Sequence, residues 1–299
     1  MHILSQEGIA MYRCYNPKRF LKLLLLDSIG VIILLLCMQL GKLVFSADMP
    51  PDGIFLPVLM YHSVTPTSKN DYQITDEMFR RDLEYLSSNG YETVSVQQLV
   101  DYTNGKGELP PKPVMLTFDD GFYNNLSLAL PLLEEYDMCA VVSVVGKFTD
   151  VNAANDPHSD QYSYLTWEDI RLLEESGRVE IGSHTYDLHS MEGRAGCSIM
   201  YGEDAEHYKA MLTQDLQQLQ DRMQEETGII PTAFAYPFGY ICKESITVLK
   251  NLGFVCSFTC YERPNYITQN PECLFGIDRY NRSGNISTEA FFEKALREQ

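Results

Sequence analysis

The chain of 299 residues is 45% hydrophobic and 11% aromatic, enough for one large buried core and unlike a disordered composition. Its net charge of -18 is uneven: residues 1–22 carry Arg13, Lys18, Arg19 and Lys22 against Glu7, which leaves 19 basic and 40 acidic side chains beyond them. So acidic a body repels phosphate backbones, and nucleic acid is excluded as a partner.

In chain order, residues 1–22 read as a basic cytoplasmic N-terminus and residues 23–46 as one transmembrane helix. Leu23 to Phe45 is long enough, at about 1.5 Å per residue, to cross a hydrocarbon core of roughly 30 Å. Asp27 is tolerable near the headgroups, and the basic flank predicts that the remainder lies outside the cytoplasm. The rival is a cleaved signal peptide ending near "VFSA", but the apolar run exceeds the usual h-region of about 7 to 15 residues. Residues 47–54, containing "ADMPPDG", read as a linker.

Residues 55–299 read as one domain in which strand-length apolar runs alternate with helical patterns. "PVLMY" precedes "TDEMFRRDLEYLSSNG", where Phe79, Leu83 and Leu86 share a face between a Thr75 cap and a Gly90 stop. The alternation continues with "YETV" and "SVQQLVDYTNG", "PVMLTF" and "NNLSLALPLLEEY", "CAVVSVV" and "TWEDIRLLEESG", in which Thr166 and Asp169 form a capping box. "VEIGS", a long polar helix near 204–227, "TAFAY", "KESITVLKNLG" and "FVCSFT" complete it. The fold class is α/β, a distorted (β/α) barrel of about seven strands preceded by one N-terminal transmembrane helix. An open doubly wound sheet is the alternative, without a glycine-rich phosphate loop to support it. Cys139, Cys197, Cys242, Cys256, Cys260 and Cys273 fall outside the anchor, and at most one or two bridges are expected, mainly among the last four.

Parallel α/β folds collect chemistry at the C-terminal ends of their strands. There the chain places His62 after "PVLMY", Asp119 and Asp120 after "PVMLTF", His184 after "VEIGS", and Tyr236 to Gly239 after "TAFA". In "SHTYDLH", His184 and His189 would stand about 140° apart on an α-helix, so only a loop could turn both toward one ion. Two imidazoles and a carboxylate suit zinc or a related divalent ion with positions left open. Adjacent aspartates point in different directions, so one can bind the ion while the other serves as a base. An Asp-Asp-Gly turn is the plain reading, and it leaves the histidines unexplained.

These residues resemble the polysaccharide deacetylases, carbohydrate esterase family four. "TFDDG" is similar to the first motif of that family, "HTYDLH" to the second and "FAYPFG" to the third, in order over roughly residues 55–282. The resemblance implies Asp119 as base, Asp120, His184 and His189 as metal ligands, and Tyr236, Pro237, Phe238 and Gly239 as a wall of the substrate groove. The second motif usually has three residues between its histidines and here has four, a form similar to the poly-N-acetylglucosamine deacetylase branch. The arginine that usually opens the third motif is replaced by Ala235, and Arg279 in "GIDRYNR" is the candidate substitute. No histidine follows His207, whereas "VLMYHSV" resembles the family's late motif moved to the front, which makes His62 the general acid.

The implied activity is metal-dependent hydrolysis of the N-acetyl group from N-acetylglucosamine units of a cell-wall or surface polysaccharide. The ion, zinc with cobalt or another divalent ion as alternatives, and a backbone N–H near Tyr236 would stabilise the oxyanion. A glycoside hydrolase is one rival, but its carboxylates must flank the bond at roughly 5 to 9.5 Å, which neighbouring residues do not easily do. A catalytically inactive carbohydrate-binding domain is the other.

Overall fold

Val58–Tyr61, Pro113–Phe118 and Ala140–Val144 are buried along their whole length in the computed structural model of the protein, as parallel strands covered on both faces must be. The structure describes residues 53–67, 69–155 and 158–298. The basic N-terminus, the expected span and the linker up to residue 52 lie outside the described residues. Among the described residues no helix is long and apolar enough to cross a membrane.

The main sheet has nine strands, parallel at every pairing. Its order runs Phe275–Ile277, Cys256–Phe258, Ala233–Ala235, Val179–Ser183, Ala140–Val144, Pro113–Phe118, Val58–Tyr61, Tyr280–Asn281, with Glu92–Thr93 paired to the start of Pro113–Phe118. The two end strands are separated in sequence only by Asp278 and Arg279. Three peptide units reach about 11 Å at most, so the opposite edges must come close and the sheet curls into a partial barrel. This is consistent with a (β/α) barrel. All seven strands expected from sequence are present in this sheet; Phe275–Ile277 and Tyr280–Asn281 are additional. They are only three and two residues long, and Gly276 interrupts their apolar run.

The period of two in the strands sorts their side chains. Leu59, Tyr61, Leu116, Phe118, Val142 and Val144 face outward into a core shared with the helices, while Val58, Met115, Val141, Ala235, Phe258 and Ile277 pack together inside the curl. Continuing the inward register beyond the strand ends gives His62, Asp119, Cys260 and Arg279. Barrel packing thus delivers polar residues to one rim.

Helices cover the outside. Asp76–Ser88 starts at Thr75, whose side chain accepts from the Met78 N–H, and Trp167–Glu175 starts with the expected Thr166–Asp169 capping box. "NNLSLALPLLEEY" forms a π-turn over Asn125–Ala129 that runs into the helix Leu130–Glu135. Helices at Gly146–Asn155 and Thr288–Ala295 were not expected. The first buries Gly146, Thr149 and Asn152, an inward face too small and polar to produce an apolar period. Cys139, Cys197, Cys242, Cys256, Cys260 and Cys273 are all free thiols, against an expectation of at most one or two bridges. Cys256 belongs to the barrel interior and Cys197 to the core beneath the helix Ala205–Thr227, each packing as a small apolar side chain.

A buried ion pair fastens the last helix. Arg282 donates to Asp82 at 2.7 and 3.1 Å, with Thr288 Oγ1 and Tyr61 Oη also donating to that carboxylate at 2.7 and 3.2 Å. Asp82→Ala would leave a guanidinium buried without its partner. It is expected to cost about 3–5 kcal/mol, measured as a lower urea midpoint at unchanged slope.

Candidate active site

The strand Pro113–Phe118 ends at Asp119, which is only 2% exposed. Arg279 Nη1 and Nη2 donate to its two carboxylate oxygens at 2.7 Å each, a bidentate pair. Arg279 is itself fully buried, and it is oriented by Nε donating to Thr259 O at 2.8 Å and Nη1 to Thr117 Oγ1 at 3.2 Å. Burial alone would raise the Asp119 pKa, but Arg279 and, less strongly, His184 and His62 outweigh it, holding the carboxyl well below its usual range.

The chain turns sharply after Asp119. Asp120 has φ +72°, and Gly121, at φ +69°, passes so close to Val144 that an added Cβ would lie 2.8 Å from Val144 Cγ1. That glycine permits the turn, and the turn sends the two aspartates apart. Asp120 Oδ1 lies 3.1 Å from His189 Nε2 and 3.6 Å from His184 Nε2. It is buried yet takes no hydrogen bond.

The strand Val179–Ser183 brings His184 to the same place, with Nδ1 2.8 Å from Ala235 O. Donation from Nδ1–H to that carbonyl leaves the Nε2 lone pair facing Asp120 and His189, the arrangement a histidine ligand requires. Burial pushes the His184 pKa down, favouring the neutral ring. The loop to His189 is held by Asp215, whose carboxylate accepts from Tyr186 N and Asp187 N at 2.8 Å each, and by Thr185 Oγ1, which accepts from Leu188 N at 3.2 Å. Burial would lower the His189 pKa, but Asp120 beside it raises it above the ordinary value. One ligand atom from each of Asp120, His184 and His189 falls within 4.8 Å of the others. Two neutral-capable imidazoles around an orphaned carboxylate oxygen fit a divalent cation of the zinc class.

These groups line a cavity of about 530 Å³ together with His62, Tyr72, Phe238, Cys260 and Asn281. His62 packs edge-on against Tyr72, with ring centroids 5.0 Å apart. Phe238, at φ +59°, lays its ring 4.9 Å from that of His189. The other residues expected in the groove wall do not expose side chains to it. Tyr236 is fully buried, with its hydroxyl 2.8 Å from Ser245 Oγ and its ring against Phe234, whereas Phe238 lines the cavity. Its N–H donates to Phe258 O at 3.0 Å and is not free as an oxyanion donor. Pro237 and Gly239 are buried; Gly239 at φ +77° lets the backbone pass Cys260, where a Cβ would meet Cys260 N at 2.7 Å.

With this geometry established, the family comparison is direct. The sequence profile described as Polysaccharide deacetylase matches residues 106–257, just over half of the chain. The chain belongs to the polysaccharide deacetylase family. It is 26% identical to the poly-beta-1,6-N-acetyl-D-glucosamine N-deacetylase of Escherichia coli K12 over 91% of its own length, but spans only 44% of that relative. Among solved structures it resembles the de-N-acetylase of Aggregatibacter actinomycetemcomitans, with TM-score 0.66 and 27% identity over 80% of this chain and 100% of that one. IcaB from Ammonifex degensii is similar at TM-score 0.65 and 25% identity, covering 82% and 97%.

Asp215, Tyr72 and Asn281 were not singled out from the sequence. Asp215 lies within a long polar helix, Tyr72 in a polar bend and Asn281 in a two-residue strand, with no motif to mark them.

Replacing Arg279 by Met should cost about 3–5 kcal/mol at neutral pH, because Asp119 would stay buried without its partner. The depressed Asp119 pKa also fixes a sign: its contribution is present above the unfolded carboxyl pKa of about 4 and is lost as pH falls below it. The cost of the substitution, followed by urea titration, is therefore expected to shrink on acidification below about pH 4.

Proposed function

We propose that this chain hydrolyses the acetamido group of N-acetylglucosamine units in a poly-N-acetylglucosamine-like surface or cell-wall polysaccharide, releasing acetate. The observation that carries it is the convergence of Asp120, His184 and His189 beside an arginine-clamped Asp119 in one open cavity. The substrate class is supported by similarity to the Escherichia coli poly-beta-1,6-N-acetyl-D-glucosamine N-deacetylase and by a groove lined by Tyr72 and Phe238, which offer aromatic faces to sugars.

Asp120, His184 and His189 would hold the divalent ion, zinc or a close relative, which supplies Lewis acidity to the carbonyl and to the attacking water. Asp119 accepts the water proton as the oxygen adds to the carbonyl carbon. Arg279 keeps it ionised and fixes the carboxylate in place. His62 then donates a proton to the nitrogen as the carbon–nitrogen bond breaks, giving acetate and a free amino sugar. The basic start and apolar run of residues 1–46 support an N-terminal membrane anchor that holds the domain on the extracytoplasmic side.

Acetate release from acetylated glucosamine oligomers, with and without chelator, tests the reading. Chelation should abolish release, and added zinc or cobalt should restore it. Asp119→Asn is expected to lower turnover at least 100-fold while keeping metal content. Asp120→Ala and His184→Ala should lose both, and metal retained in those two by elemental analysis would refute the ligand assignment.

A further inference from the structure

Besides Asp120 Oδ1, two buried polar atoms in the cavity wall lack hydrogen-bond partners: His62 Nδ1, which can donate, and Asn281 Oδ1, which can only accept. Both residues line the cavity. Asn281 pairs with Met60 across the parallel strands Tyr280–Asn281 and Val58–Tyr61, and the Arg282 N–H extends that pairing to Met60 O at 2.9 Å. His62 lies two residues beyond Met60 and so returns to the same face. A donor and an acceptor, each costly to leave unpaired, thus occupy neighbouring strands on one wall.

We propose that Asn281 is a positioning residue for His62: one water held between its Oδ1 and Nδ1–H, which do not meet directly, fixes Nε2 as the nitrogen that meets the leaving amine. A substrate hydroxyl is a poorer partner for Oδ1, because that atom is enclosed within the wall. The other end of the amide is already committed, with Nδ2 donating to Asp71 O at 2.9 Å. Asp71 Oδ1 accepts in turn from Asn285 Nδ2 at 2.8 Å and Ser283 Oγ at 3.1 Å, so the amide cannot flip without losing the Asp71 carbonyl. The inference rests on the reading of His62 as the acid.

Two substitutions separate the acceptor from the donor. Asn281→Asp keeps an oxygen toward His62 but loses the Nδ2 donor, whereas Asn281→Leu loses both. Nitrogen NMR of the full chain labelled with [15N]histidine, assigned by His62→Ala, should show the Nδ1–H tautomer in the parent and in Asn281→Asp, and a mixture in Asn281→Leu. The ratio of N-acetylglucosamine oligomer turnover to that of an activated aryl acetate, whose leaving group needs no proton, should fall about 100-fold in His62→Ala and about tenfold in Asn281→Leu. It should stay within about twofold in Asn281→Asp. An unchanged tautomer in Asn281→Leu, or equal losses in the two Asn281 variants, would overturn the positioning role. An unchanged ratio in His62→Ala would instead remove His62 from the acid role.

Discussion

The Asp119–Arg279 pair is the constraint around which the rim is organised. It joins the central strand Pro113–Phe118 to the two-residue link between the sheet's opposite edges, so one interaction helps close the curl and fixes the proposed base. Buried ion pairs are poor bargains energetically, since desolvation can exceed their attraction. Here the pair also does chemical work. A carboxylate with both oxygens held by one guanidinium has a single orientation, so the proposed proton acceptor is in place before substrate arrives.

The proposed metal-ligand cluster depends on that arrangement through the backbone. Asp120 reaches the imidazoles because the chain reverses at a left-handed aspartate and glycine immediately after Asp119, while His184 is aligned by the carbonyl of Ala235. This accounts for a substitution at the third motif. A side chain at position 235 is dispensable for orienting His184, because its carbonyl does that; the guanidinium usually expected there is supplied from position 279.

Much of this was legible in the sequence. The strand-helix alternation located all seven expected strands, and the ends of those strands named the Asp-Asp pair, His62 and His184 before any geometry. Arg279 was legible only as a candidate, because 160 residues separate it from Asp119 and no local pattern records so distant a partner. Tyr236 shows the reverse case: a motif identifies a segment as groove-forming without telling which of its side chains turn inward, and here the ring completes a core under Lys243–Asn251. The small strands at Phe275–Ile277 and Tyr280–Asn281 lack the length for a period, and Asn281 acquires meaning only from the strand beside it.

The link at Asp278–Arg279 also orders events in time. The proposed base, acid and ligands all lie between residues 62 and 189, yet the guanidinium that orients the base comes 90 residues after the last of them. A chain that emerges from its N-terminus has made nearly the whole barrel before the seam can close. Loop closure over such distances is slow compared with local pairing. An oriented Asp119 is therefore among the last features the chain acquires, and copies truncated before Arg279 would carry Asp120, His184 and His189 beside an unaligned carboxylate.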